Sequence, residues 1–361
     1  MTDRELNIVI ISEGKPGHLS QSQGIANLVR DPKRIHVVNT NLDPSNEETL
    51  LRGLTGLNHF VHLPTLGSLW KRASQYIPAE ERNFLDSVNP DLIISAGTLP
   101  ASTNIILKKM KRCLNVVAMR PSLLPLSAFD LVVIAHHDFK NDTQKNMIVL
   151  DTSPNLCLPE SIKKEEIDFT YKRGINPNHT YWAMFIGGPS KAREFPPDDV
   201  ISCVSKLFEY AKKADVKLLV TTSRRTEKDF EFALKKLCDK YKEQVPFLQI
   251  YHDMPESTTR AIMSLSEKIF ITEESVSMVS ESIWANRETH VIPLPSPTPD
   301  KPDKISHFKE NLIEKNLVRE FTSDTTYMEL TDQLSNPWDS KNFNDIRTLT
   351  EALNSLTDRI V

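Results

Sequence analysis

The chain has 361 residues, 39% hydrophobic and 25% charged, with a formal net charge of −4. That length predicts two domains with separate cores, and no apolar run approaches the ~20 residues needed to span a bilayer. The negative charge argues against nucleic acid as the main partner, because phosphate-backbone binding needs a surplus of Lys and Arg.

The start, Met1-Thr-Asp-Arg-Glu-Leu-Asn7, runs directly into an apolar strand with no basic region or signal core, so cytoplasmic residence is the expectation. In the first half, apolar runs predict strands over Ile8–Ile11, Arg34–Val38, Leu92–Ser95, Asn115–Ala118 and Leu131–Ala135. Helical spacing covers Ser20–Arg30, Pro78–Ser87 and Ala101–Lys111. The charged, turn-rich stretch Ser161–Asn178 reads as an exposed linker. Beyond it, strands are predicted over Tyr181–Ile186, Lys217–Thr221, Phe247–Ile250, Ile269–Thr272 and His290–Ile292, with helices over Asp198–Lys213, Lys228–Tyr241 and Thr258–Leu265. The proline-dense run Pro293–Pro302 favours an extended crossover. Helical spacing then returns over Ile305–Leu317, Thr325–Leu334 and Asn342–Ile360. Alternating short strands and helices predict an α/β protein of two Rossmann-type domains with parallel sheets facing a central cleft. Their ligands belong beyond the carboxyl ends of the strands.

The residues at those strand ends are the chemical candidates. Ser12-Glu-Gly-Lys-Pro-Gly-His18 follows the first strand. Gly14 and Gly17 bracket Lys15 and permit tight turns that present His18, either as a general base near neutral pH or as a backbone cap. Gly97 and Thr98 follow the third strand as a plain N-cap or as an anion-friendly exit. His137 and Asp138 follow the fifth strand, where adjacent side chains diverge and no third ligand stands at metal spacing, so a hydrogen-bonding role is the better reading. Four widely spaced cysteines, Cys113, Cys157, Cys203 and Cys238, form no C-x-x-C pair and read as reduced, packed thiols.

In the second half, Gly187-Gly-Pro-Ser-Lys191 supplies close backbone approach, the Ser190 hydroxyl and the Lys191 ammonium. Ser223-Arg-Arg-Thr226 sets Arg224 and Arg225 at a helix start, where cations oppose the dipole unless an anion joins them. Thr272-Glu-Glu-Ser-Val-Ser277 runs from strand into helix, with Ser275 and Ser277 beside free N–H groups. Glu281 is placed to accept from a ribose diol. Glu273 and Glu274 are as easily explained by the helix dipole alone. Neither half carries the G-x-G-x-x-G or P-loop fingerprint, and no Tyr-x-x-x-Lys pair supports an NAD-dependent epimerase.

These blocks, with Phe129-Asp-Leu-Val-Val133, occur in the order seen in the mitochondrial-fission (elongated-mitochondria) family, which the chain resembles from near residue 7 to about residue 320. That family is similar to GT-B glycosyltransferases, so the resemblance implies a nucleotide-sugar donor in the second domain and an acceptor against the first. Gly187, Gly188, Ser190, Lys191, Ser223, Arg224, Arg225, Thr272, Ser275 and Ser277 then resemble the donor side, with Glu281 at the ribose and the loop His252–Met254 at the base. Lys15, Gly17, Gly97, Thr98 and His137 fall on the acceptor side, with His18 as catalytic base and Asp138 in reserve. Two departures from the family pattern stand out: Trp284-Ala-Asn-Arg-Glu288 replaces a Gly-Lys-Pro turn, and Met254-Pro-Glu-Ser257 replaces an Asn-Pro-Tyr element.

The implied domains are 1–165 for the acceptor and 178–304 for the donor, with helices of 305–361 crossing back to the first. The implied activity is transfer of a sugar from a nucleoside diphosphate of UDP type to a cell-envelope glycan or lipid-linked acceptor. No metal and no tightly bound cofactor are expected, because helix dipoles and arginines can stabilise the leaving diphosphate. The apolar and basic patch His62–Arg72 reads either as a packed helix or as a peripheral contact with the inner face of the membrane. The competing expectation is a non-catalytic adaptor in membrane remodelling that retains the same fold.

Overall fold

Apolar runs bounded by turn residues build two six-stranded sheets, and among the described residues their strand pairs are parallel. The computed structural model describes residues 4–40, 63–122, 124–139, 142–299, 301, 303–331 and 340–360. It divides into one unit of Met1–Leu156 with Asn344–Val361 and a second of Cys157–Phe343.

The first unit holds β1 (Leu6–Ser12), α1 (Pro16–Leu28), β2 (Lys33–Asn39), α2 (Leu63–Ser74), α3 (Ala79–Ser87), β3 (Leu92–Ala96), α4 (Thr98–Lys111), β4 (Leu114–Ala118), β5 (Leu131–Ala135) and β6 (Met147–Leu150). Its strand order is β2-β1-β3-β4-β5-β6. β3 and β5 are buried along their whole length, which is why they read as continuous apolar runs rather than alternating ones. The weakly apolar edge strand β6 was not predicted. Helix α2 covers most of the patch read as a candidate membrane contact. Its Leu66, Leu69 and Ala73 pack into a core with Leu99, Ile105 and Phe129, so that face of the helix is turned inward. His62 lies outside the described residues.

The second unit holds α5 (Pro159–Arg173), β7 (Tyr181–Ile186), α6 (Pro197–Lys213), β8 (Lys217–Thr222), α7 (Lys228–Lys240), β9 (Phe247–Gln249), α8 (Thr259–Leu265), β10 (Lys268–Thr272), α9 (Val276–Trp284), β11 (Glu288–Ile292), α10 (Lys304–Glu314), β12 (Arg319–Glu320) and α11 (Tyr327–Thr331). Its order is β12-β11-β10-β7-β8-β9. The stretch expected to be an exposed linker is mostly α5. Pro159 starts that helix, Glu160 and the pair Lys172 and Arg173 complement its dipole, and Gly174 ends it in the left-handed region at φ 63°. Its charges concealed a buried stripe of Ile162, Glu166 and Phe169. Glu166 Oε2 accepts from Ser264 Oγ on α8 at 2.6 Å, and the Phe169 ring meets Phe247 edge-on at 4.9 Å.

The last helix, α12 (Asp345–Thr357), belongs to the first unit, whereas α10, β12 and α11 belong to the second. One buried carboxylate fastens α12. Asp345 accepts from Asp151 N at 2.9 Å, Thr152 N at 2.8 Å and Thr152 Oγ1 at 2.6 Å. Asp345→Ala orphans those donors, so it should destabilise the attachment by about 2–4 kcal/mol. The expected readout is faster amide hydrogen exchange in β6 and α12, with exchange in β7 and β10 unchanged.

Candidate functional site

Register determines which strand ends share an edge. Ile186 pairs with Thr222 and Phe185 with Ile271, so the last residues of β8, β7 and β10 stand level, side by side. The three polar exits singled out in the sequence, after Ile186, Thr222 and Thr272, therefore leave the sheet as neighbours.

Side chains knit the exits together. Gly187 N donates to Thr272 Oγ1 at 2.8 Å, and Gly188 N donates to Glu274 Oε1 at 3.1 Å. Thr226 Oγ1 donates to Gly187 O at 2.6 Å and accepts from Ser223 N at 2.9 Å. Arg225 Nη2 reaches the same Glu274 Oε1 at 3.2 Å. Both glycines are required by contact rather than by dihedral angle. A Cβ on Gly187 would fall 1.5 Å from Glu274 Oε1, and one on Gly188 would fall 2.1 Å from Arg225 O.

Glu273 and Glu274, which the sequence explains as easily by the dipole alone, are structural centres of this edge. Glu274 precedes the helix, is wholly buried at its side chain, and faces back over β7. Burial pushes its carboxyl above the usual range, against the Thr272 hydroxyl, Arg225 and the Gly188 N–H, which pull it down. Glu273 turns the other way into a buried ion cluster. It pairs with Arg193 and with Lys309 Nζ, the latter at 2.9 Å. Arg193 also binds Asp303 and donates to Ser306 Oγ at 3.0 Å, clasping the β7 exit loop to the start of α10. Arg193 was missed because no local spacing signals a partner 80 residues away.

The remaining donor-side candidates distribute around this edge. The Arg225 side chain is 39% exposed, and Arg224, Lys191 and Ser277 are exposed. Ser223 Oγ accepts from Arg225 N at 3.1 Å, and Ser190 Oγ accepts from Arg193 N at 3.0 Å, so each hydroxyl shapes its own loop. Ser275 is the N-cap of α9 and makes no side-chain cap bond, which leaves the first helical N–H groups open. Glu281 lies further along α9, where burial raises its carboxyl to about 7, offset in part by Arg260. In the loop after β9, Gln249 Nε2 donates to Met254 O at 2.8 Å and to Glu256 O at 2.7 Å. Arg173 Nη2 contacts Met254 Sδ at 3.4 Å.

In the first unit, His18 sits within the first turn of α1, because the helix begins at Pro16 and not at Ser20 as predicted. Gly14, at φ +81°, makes the turn, and Gly17 is helical. His18 Nδ1 lies 2.5 Å from Oε1 of Glu13, a buried carboxylate the sequence reading passed over, which also pairs with Lys15 at 3.1 Å. Gly97, at φ +80°, closes the arrangement: a Cβ there would meet the imidazole at 2.8 Å. Thr98 Oγ1 accepts from Ser122 N at 2.9 Å. His137 and Asp138 form a 3-10 turn after β5, with Nε2 and Oδ2 3.8 Å apart. Among the described residues no three His, Cys, Asp or Glu gather as metal ligands, and no helix is long and apolar enough to cross a membrane.

The profile of the family described as mitochondrial fission ELM1 matches residues 16–356. The chain belongs to that family. A curated relative from Rickettsia prowazekii (strain Madrid E), the uncharacterized protein RP120, is 22% identical over 291 residues, 69% of this chain and 76% of its own. Among solved structures, UDP-GlcNAc 2-epimerase from Methanocaldococcus jannaschii is 11% identical, with a TM-score of 0.53 over 98% of this chain and 100% of that one. Acinetobacter baumannii MurG is 13% identical, with a TM-score of 0.44 over 98% and 99%. The fold of this family member is thus α/β and GT-B-like.

Glu281 gives the site a pH signature. Its folded value, about 7, lies above its ordinary 4.5. The proton-linked stabilisation is therefore complete below about 4.5 and disappears as pH rises through 7. Glu281→Gln, which cannot ionise, should be more stable than the parent at about pH 8, by up to ~3 kcal/mol, and equal to it at about pH 4. Urea unfolding at the two pH values checks the sign.

Proposed function

We propose that this chain is a metal-independent glycosyltransferase whose second unit binds a nucleoside-diphosphate sugar. The observation that carries the reading is the level alignment of the β7, β8 and β10 exits. It groups Arg225, the glycine loop and the uncapped start of α9 at one sheet edge. Open N–H groups at a helix start and an adjacent guanidinium suit an oxyanion, and they favour a leaving diphosphate without a cation. Arg224, Lys191 and Ser277, exposed nearby, add charge and hydroxyl contacts for the same group.

In this reading Glu281 accepts from the ribose hydroxyls and the loop at Met254 faces the base, with UDP the first nucleotide to try. His18 is the base that takes the acceptor hydroxyl's proton. Glu13 at Nδ1 fixes the tautomer and leaves Nε2 to receive that proton. Lys15, Thr98 and His137, with Asp138, line the acceptor side, and the acceptor is a cell-envelope glycan or a lipid-linked one. A nucleotide sugar is supported by the likeness in fold to UDP-GlcNAc 2-epimerase, named for one.

The family description favours a second reading, a non-catalytic adaptor in membrane remodelling. A thermal-shift series with UDP, ADP and GDP separates the two. A transferase should gain about 2–3 kcal/mol of apparent stability at a hundredfold excess over Kd. Arg225→Ala should lose most of that shift, whereas His18→Ala should keep the shift and lose transfer. No shift with any of the three nucleotides, with the protein folded, supports the adaptor and overturns the enzyme.

A further inference from the structure

Resting on the nucleoside-diphosphate reading, we propose that Glu274 is itself a donor-binding residue and enters the complex as the neutral acid, so that the diphosphate binds together with a proton. The carboxyl already occupies the place an anion would take. Its Oε1 accepts from Gly188 N at 3.1 Å and from Arg225 Nη2 at 3.2 Å, the same backbone and guanidinium groups that make the edge attractive to phosphate. It is admitted there by the missing side chain of Gly187, where a Cβ would stand 1.5 Å from Oε1 and 2.6 Å from Cδ.

The second oxygen points to the proton. Glu274 Oε2 is buried and has no hydrogen-bond partner among the described residues. An ionised oxygen in that position keeps its full desolvation cost, whereas a protonated one becomes a donor that a phosphate oxygen can accept.

The charges around the group reinforce the argument. From the β8 exit it faces Arg225, from the β7 exit only the backbone of Gly187 and Gly188, and from its own strand the Thr272 hydroxyl. Glu273 beside it is engaged with Arg193 and Lys309. Among the described residues Arg225 is therefore the one cation shared by Glu274 and an arriving diphosphate. Two like charges on one guanidinium oppose each other. Taking a proton from solvent neutralises the carboxyl, removes its charge from the competition for Arg225, and leaves Oε2–H as an added donor. Burial has already moved this carboxyl toward the neutral form.

The experiment is calorimetry of the full chain with UDP, ADP and GDP in buffers of different ionisation heat, at about pH 8, for the parent and Glu274→Gln. The parent should take up close to one proton more per nucleotide than the variant. Its affinity should fall by up to a further tenfold per pH unit on the alkaline side relative to the variant, which follows only the titrations of the nucleotide's own phosphate and of Glu281. Equal proton counts with binding intact overturn the proposal and leave the diphosphate reading standing. A parent affinity that tracks only the phosphate titration overturns it without recourse to the variant. Absence of binding by the parent at any pH overturns both.

Discussion

The buried carboxyl of Glu274 is the interaction on which the second unit's strand edge depends. It lies between the glycine turn after β7 and the arginine loop after β8, and it joins both to the end of β10. Such a group is stable only because the backbone offers an N–H and a neighbouring strand offers a guanidinium, since a buried carboxyl without either strongly disfavours its charged form. The two glycines follow from this. At Gly187 the carboxyl itself takes the volume of a Cβ, and at Gly188 the carbonyl of Arg225 does.

A division of labour between the adjacent glutamates follows from their opposite directions. Glu273 belongs to the cluster with Arg193, Lys309 and Asp303, which anchors the β7 loop against α10. Asp303 also caps α10, accepting from Ile305 N at 2.8 Å and Ser306 N at 3.0 Å. In that cluster Glu273 has two cationic partners, which suits scaffolding. Among the described residues Glu274 has one charged partner, and its Oε2 has no hydrogen bond, which suits a group able to change its state. In the first unit the Glu13 and His18 pair also depends on a glycine, since a Cβ on Gly97 would collide with the imidazole that Glu13 holds.

Most of the fold was legible because parallel strands buried on both faces leave continuous apolar runs, as in β3, β5, β7 and β10. The failures have physical reasons. Helix α5 reads as a linker because its polar face dominates its composition, and only contacts with α8 and β9 reveal Ile162, Glu166 and Phe169 as a buried stripe. Short edge elements such as β6 and β12 bury too little to impose a pattern. The start of α1 was misjudged because Gly14, Pro16 and Gly17 suggest a loop, while Pro16 is in fact at the first turn, where its missing N–H costs nothing.

For the site, the residue types at strand ends were readable from the chain: Gly187, Gly188, Ser223, Arg225, Thr272 and Ser275 all follow strands whose apolar runs mark where they stop. Sequence by itself determined that these groups leave the sheet at carboxyl ends, because a parallel α/β chain puts every such exit on one edge. Which exits become neighbours was decided by the strand order β10-β7-β8, a choice of pairing among distant segments. The roles of Glu273, Glu274, Arg193 and Glu13 were likewise decided by tertiary structure. A carboxyl's burial and partners arise from contacts across tens of residues, and no local periodicity encodes them.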